Sequence, residues 1–343
     1  MLSGLEPRER RSTSRSGKPT LRTIAEMAGL ATTTISRALN NAPELSQETR
    51  DRVQKLAAEV GYVPDRTALR LKTGRTNVIG LVLNPHEEIL NFGQSLVGGI
   101  SAALSGSTYH LVIMPARREA SPIDQINYIL SNRMADGVIF SRTSPDDERV
   151  RLLIDAGFPF VSHGRTDFPG HAYVDYDNAA FAYAGVKRLH AKGRRRLSVI
   201  LPEEGYTFTH HLREGIARGV AETGMSVEFV SGTNIEDGAE AIRAATMTRI
   251  AKGTPPDAYL CAGDSVALAV MAGITDAGQT IGTDADVVTK QMSGIFSLVR
   301  PRVDVINEDI TLAGLQMAQL LLRQIQGEPA ETLQILQAPE ILF

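Results

Sequence analysis

From residue 78 onward the chain is punctuated by short apolar runs whose spacing suits one architecture best. The runs "VIGLVL" (78–83), "HLVIM" (110–114), "GVIF" (137–140), "FVS" (160–162), "RLSVIL" (196–201), "SVEFV" (226–230), "AYLCA" (258–262) and "DVVT" (286–289) have strand length. Helical stretches such as "DNAAFAYAGVKRLHA" and "SVALAVMAGITDAG" lie between them. Strand–helix alternation on this scale points to parallel sheets built from βαβ units, because a parallel neighbour needs a long crossover. Eight such units predict two doubly wound lobes rather than one large sheet.

The 343 residues also exceed the usual single-domain length of about 100–200. A single cysteine, Cys261, excludes an intrachain disulfide framework and fits a reducing compartment. No run reaches the ~18 apolar residues of a membrane span, and "MLSGLEPRERRSTSRSGKP" has no apolar signal core. The expectation is a cytoplasmic protein, neither secreted nor membrane-inserted. Its net charge of −3 conceals an asymmetry. Residues 1–76 carry 14 Lys+Arg against 8 Asp+Glu, and residues 77–343 carry 22 against 31. A basic head on an acidic body suggests a polyanion partner for the head alone.

Within the head, residues 1–19 lack apolar periodicity and read as a disordered basic tail. Thr20 is a plausible N-cap for "LRTIAEMA", with Leu21, Ile24, Ala25 and Ala28 at helical spacing and Gly29 as a left-handed stop. A second helix is expected over Thr32–Leu39, with Ile35, Ala38 and Leu39 inward, and a third from Ser46 to Gly61, with Val53, Leu56, Ala57 and Val60 inward. Helix, turn, helix is an arrangement whose second helix can enter a major groove. Thr32, Thr33, Ser36, Arg37 and Asn40 would then form a polar outer face, from which Arg37 could reach guanine O6 and N7.

The ordered blocks "TLRTIAEMAGLATTTISRALNN", "SQETRDRVQKLAAEVGYVPD" and "ALRLKTGRTNVIGLV" resemble the head, hinge and first core strand of the lactose-repressor (LacI) family of bacterial transcription regulators. The match runs over residues 20–83 with almost no gap. The resemblance implies a helix-turn-helix head over 20–63, a hinge helix or linker over 64–76 and an effector-binding, dimerising core over 77–343. That core would share the two-lobed periplasmic-binding-protein fold. Its N-lobe would span about 77–175 and 308–327, its C-lobe about 176–307 and 328–343, with crossings near Val174–Asp177, Val305–Asp309 and Gly327–Ala330.

By the same resemblance Thr32, Thr33 and Arg37 read bases, while Ser36, Asn40 and Ser46 hold phosphates. In the hinge, Leu71 would wedge into the minor groove, Ala68 would let paired hinges approach, and Arg70 and Lys72 would meet phosphates. Two departures are notable. Thr23 replaces an acidic residue that would complete a capping box with Thr20, and Ala31 replaces a capping serine; a lost cap costs about 1 kcal/mol. In the core, the positions implied to line the effector pocket are Asn91, Phe92, Ser141, Arg142, Arg165, His210, Gly263, Asp264, Lys290 and Gln291. His163 and Asp177–Asn178 have ordinary structural readings. Because His210 stands for a usual arginine and "TKQM" for a usual Gly-Phe-Asp-Asp turn, the effector is expected to be a sugar or a sugar phosphate, with glucosides and disaccharides favoured.

No zinc-protease, nucleophile-elbow, phosphate-loop or dinucleotide motif is present, so neither enzymatic activity nor a cofactor or metal is expected. The implied partners are pseudo-palindromic double-stranded operator DNA, a small-molecule effector and a second subunit. A homodimer is expected, since the chain ends at Phe343 with no further leucine heptads. Two alternatives stay open: a regulator needing a corepressor metabolite or a phosphoprotein, and a sugar-binding protein that never touches DNA.

Overall fold

The computed structural model describes residues 19–63, 70, 74–83, 92–115 and 121–343, in two units, 1–75 and 76–343. The expectations for the basic tail up to residue 18, for Ala68, Leu71 and Lys72, and for Asn91 lie outside the described residues.

The first unit holds α1 (Leu21–Ala28), α2 (Thr32–Leu39) and α3 (Gln47–Glu59) around a core in which Ile24, Ile35, Ala38 and Val53 are fully buried. α1 stops because Gly29, at φ 67°, enters the left-handed region open to a residue without Cβ, and its amide closes on the Ala25 carbonyl. The expected loss of the first capping box is corrected here. Thr23 does the work of the acidic residue: its Oγ1 accepts the Thr20 amide at 3.1 Å while Thr20 Oγ1 accepts the Thr23 amide at 3.3 Å. Ala31 leaves α2 without a side-chain cap.

In the second unit two six-stranded sheets form. The first contains β1 (Val78–Leu83), β2 (His110–Pro115), β3 (Gly137–Ser141), β4 (Phe160–His163), β5 (Ala172–Tyr176) and β11 (Gln334–Gln337), in the order β11-β5-β4-β3-β1-β2. The second contains β6 (Arg196–Val199), β7 (Ser226–Phe229), β8 (Ala258–Cys261), β9 (Asp286–Gln291), β10 (Asp304–Asn307) and β12 (Glu340–Ile341), in the order β12-β10-β9-β8-β6-β7. Pairing is parallel except between β10 and β12.

Both sheets are covered on both faces, as the period-two alternation of each strand requires. Ile139 of β3 packs with α4 (Phe92–Leu104) and α11 (Ile310–Ile325), whereas Val138 and Phe140 pack with α5 (Pro122–Asn132) and α6 (Glu148–Asp155). In the second sheet Leu260 faces α7 (Asn178–Ala191) and α8 (Thr207–Thr223), and Tyr259 and Cys261 face α9 (Ala239–Ala251) and α10 (Asp264–Asp276).

Three chain crossings join the lobes. Two fall where expected, after β5 and after β10. The third does not: Gln334–Gln337 pairs with β5 in the first sheet and Glu340–Ile341 with β10 in the second, so the chain crosses between Gln337 and Glu340, not near Gly327–Ala330. β11 and β12 are edge strands, short and half polar, and escape a reading based on apolar runs.

Candidate functional site

In the head, α2 presents Thr32, Thr33 and Arg37 outward while Ile35 and Ala38 hold it to the core. Arg37 meets Glu44 only loosely, at 3.5 Å, with 65% of its side chain exposed, so its guanidinium can leave for another acceptor. Asn40 ends the helix, its Nδ2 donating to the Ser36 carbonyl at 2.6 Å. Ser46 caps α3 by accepting the Thr49 amide at 3.3 Å, and its hydroxyl oxygen lies 2.8 Å from Thr49 Oγ1. Of the expected hinge residues only Arg70 is described, and it is exposed.

In the core, a cleft of about 340 Å³ opens between the lobes at the carboxyl ends of the strands, where α/β sheets place their ligands. Six expected residues line it: Phe92, Ser141, Arg142, Arg165, Gly263 and Lys290. Three do not. His210 is exposed on α8, its ring 3.1 Å from the Glu204 carbonyl; Thr207 and Phe208, earlier on that helix, face the cleft instead. Gln291 follows Lys290 on β9, and strand alternation sends it to the opposite face. Asp264 is buried beneath the site, where its carboxylate accepts the Met292 amide at 3.1 Å and fixes that turn. Burial raises the Asp264 carboxyl above its ordinary range despite hydrogen bonds from Ser293 and Met292 and the charge of Lys290.

The cleft contains acceptors that apolar periodicity could not reveal. Lys290 Nζ lies 2.7 Å from Glu308 and 3.0 Å from Asn178 Oδ1. Arg165 Nε donates to Asp175 at 2.6 Å, and Arg142 Nη1 to Glu236 at 2.6 Å. Each of these three cations is thus matched by a carboxylate. His211 approaches Arg165 at 3.5 Å; burial, then the Arg165 charge, lowers its pKa below the ordinary histidine value. Asp175 and Glu308 sit at the ends of β5 and β10, strands whose runs are too mixed to be recognised, and so their carboxylates could not be placed from sequence.

One wall is aromatic. Phe92 and His163 meet at 5.8 Å with rings tilted by 58°. His163 Nε2 and Thr207 Oγ1 are buried on the cleft without a hydrogen-bond partner among the described residues, beside the Glu308 carboxylate that the Lys290 ammonium holds at 2.7 Å. Buried polar atoms are normally satisfied, so two orphans on one cavity mark a place for a polar guest. No group of three or more residues suited to a metal occurs among the described residues, and no helix there is long and apolar enough to cross a membrane.

Comparison with known proteins joins head and cleft. The chain matches the lacI family of bacterial regulatory proteins over residues 20–65 and the periplasmic binding protein-like domain over residues 186–342. It is 31% identical over 331 residues to the HTH-type transcriptional regulator AglR of Rhizobium meliloti (strain 1021), spanning 91% of this chain and 90% of that one. The regulator CelR of Thermobifida fusca is 28% identical over 93% of this chain and 95% of its own. Among solved structures, the lac repressor dimer bound to operator and the anti-inducer ONPF gives a TM-score of 0.80 at 22% identity, covering 95% of this chain and 98% of that one. A CelR–cellobiose complex gives 0.68 at 26% identity, covering 95% and 98%. A relative matched from head to core at this identity fixes the assignment: the chain belongs to the lacI family of bacterial regulatory proteins and is a DNA-binding transcriptional regulator.

Proposed function

We propose that this regulator represses carbohydrate-utilisation genes as a homodimer on a pseudo-palindromic operator, and that an uncharged saccharide in the interlobe cleft controls its grip on DNA. The observation carrying the choice of effector is the charge balance of the cleft. Each of the cations Arg142, Arg165 and Lys290 already has a carboxylate within 2.7 Å. A phosphate dianion would have to displace one of those carboxylates and leave it buried and unpaired. A neutral polyol, by contrast, can give hydroxyl protons to Glu308 and His163 and accept one from Thr207, with Phe92 against its apolar ring face. The cellobiose complex of CelR supports a saccharide.

On DNA, Thr32, Thr33 and Arg37 read base edges, and Ser36, Asn40 and Ser46 position phosphates. Arg70 and Lys72 add phosphate contacts beside a hinge in which Leu71 wedges into the minor groove and Ala68 lets the paired hinges approach. As a reader of operator DNA with no catalytic constellation in its motifs, the protein acts in the bacterial cytoplasm and not as an enzyme.

Fluorescence anisotropy on operator fragments from upstream of neighbouring sugar-utilisation genes tests the proposal. Release by cellobiose or another neutral glucoside or disaccharide is the expected result. Release, or tighter binding, only with a sugar phosphate would overturn the neutral-effector reading.

A further inference from the structure

Three contacts bridge the lobes at the rim of the cleft. Arg142, just past β3 in the first lobe, meets Glu236 of the turn Ile235–Asp237 in the second at 2.6 Å. Their side chains are 6% and 16% exposed. The Thr207 amide, opening α8 in the second lobe, donates to the Thr143 carbonyl in the first at 2.9 Å. The Tyr206 ring of the second lobe lies 5.3 Å from the Arg142 guanidinium.

Both members of the ion pair are set in place by their own lobe. Arg142 adopts φ 59°, a left-handed conformation uncommon for a side-chain-bearing residue, and its carbonyl is held by Arg149 Nη2 at 2.8 Å. Glu236 is held by its own amide, which donates to Asn234 Oδ1 at 2.8 Å, and by its Oε2, which accepts the Glu203 amide at 3.3 Å. Desolvation opposes a shielded pair. Preset partners lose little freedom on meeting, and the amide bond and aromatic face add to the attraction.

We propose that Arg142 and Glu236 form an interlobe clasp that holds the cleft closed before any effector binds. The position of the lobes is then a property of the free protein, separate from what the cleft accepts. Population of the closed form raises the apparent affinity of any ligand that requires it.

The test uses the full chain with Ala156→Cys and Ala239→Cys, exposed positions on the first and second lobes, spin-labelled and measured by pulsed electron resonance with no ligand present. Cys261 is buried, which keeps the label off it. With Glu236→Gln the interlobe distances are expected to shift to longer values, and Arg142→Gln should give the same shift. The double variant should open no further, since the two residues act as one pair. A distribution for folded Glu236→Gln that overlays the parent's would overturn the clasp. So would a shift for Glu236→Gln that Arg142→Gln does not reproduce, because Glu236 would then act through another group.

Discussion

The ammonium of Lys290 on β9 and the carboxylate of Glu308, one residue past β10, lie 2.7 Å apart with 8% and 3% of their side chains exposed. The ammonium also donates to Asn178 and sits 5.1 Å from the Tyr176 ring, so one lysine ties two strands to the start of α7. Removing one charge strands the other in a poor solvent. Lys290→Met should therefore lower unfolding free energy by about 3–5 kcal/mol, read from urea midpoints. Lys290→Met with Glu308→Gln should recover much of that loss. A single variant as stable as the parent would mean that Glu308 is not held as a buried charge.

Beneath the clasp, Arg149 forms a second buried pair. It donates to both carboxylate oxygens of Asp147, at 3.0 and 2.7 Å, and to the carbonyls of Ser141 and Arg142. Burial alone would push the Asp147 carboxyl up, but Arg149 and the amides of Ser144 and Arg149 more than offset this and hold it below the usual carboxylate range. Arg149→Met should be strongly destabilising, again by about 3–5 kcal/mol. It should also weaken saccharide binding under conditions where the protein stays folded, because the left-handed turn at Arg142 loses its anchor. Loss of stability with unchanged binding would confine Arg149 to a packing role.

Two adjacent glycines in α4 should respond oppositely to the same methyl group. A Cβ on Gly99 would come within 2.0 Å of the Thr311 carbonyl on α11, and Gly314 of α11 has the reciprocal constraint against Leu96. Gly98 is exposed, with nothing within 4 Å of its Cβ position. Gly99→Ala should cost at least about 1–3 kcal/mol by prying the helices apart. Gly98→Ala should add about 0.5–1 kcal/mol of stability by removing backbone freedom from the unfolded chain. Thermal melts of both variants decide the matter.

These cases show what local sequence could and could not disclose. The eight apolar strand runs and the α1–Gly29–α2 turn were legible because burial periodicity and a positive φ leave marks on neighbouring residues. β5, β10, β11 and β12 were not: Asp175, Asp304 and the glutamines of "QILQ" interrupt their apolar pattern, and their pairing partners are distant in sequence. The cleft followed the same division. Phe92, Arg142 and Lys290 could be placed from family motifs, whereas Glu236, Glu308 and Asp175 act through partners brought close only by the sheets. His210 illustrates the reverse error, since position along a helix does not fix which neighbour turns toward the cleft.

Acid should weaken the core before carboxylates protonate. His171 is 1% exposed between the rings of Phe160 and Tyr173, and burial lowers its pKa from the ordinary 6.5. His211 shifts the same way. A histidine with a depressed folded pKa contributes stability that is complete above the unfolded value and is lost as pH falls through the folded one. The melting temperature should accordingly drop as pH falls below about 6.5, the ordinary histidine value, and His171→Gln should flatten that slope. An unchanged slope would move the sensitivity to His211 or elsewhere. Asp264, with its raised pKa, works in the opposite sense.

Arg37 offers the sharpest test of the head. It projects from α2 with 65% of its side chain exposed and only a 3.5 Å approach to Glu44, so removing it disturbs little of the folded unit. A bidentate contact to guanine carries sequence information, whereas a phosphate contact carries charge alone. Arg37→Ala should therefore cost about 1–3 kcal/mol on the operator and relax preference at one base position of each half-site, while the salt slope of binding changes little. If affinity instead falls equally on every sequence and the slope decreases by about one, Arg37 holds the backbone and base reading rests with Thr32 and Thr33. Anisotropy titrations against a set of single-base operator variants at two salt concentrations separate the two outcomes, because only base reading makes the loss depend on which base is changed.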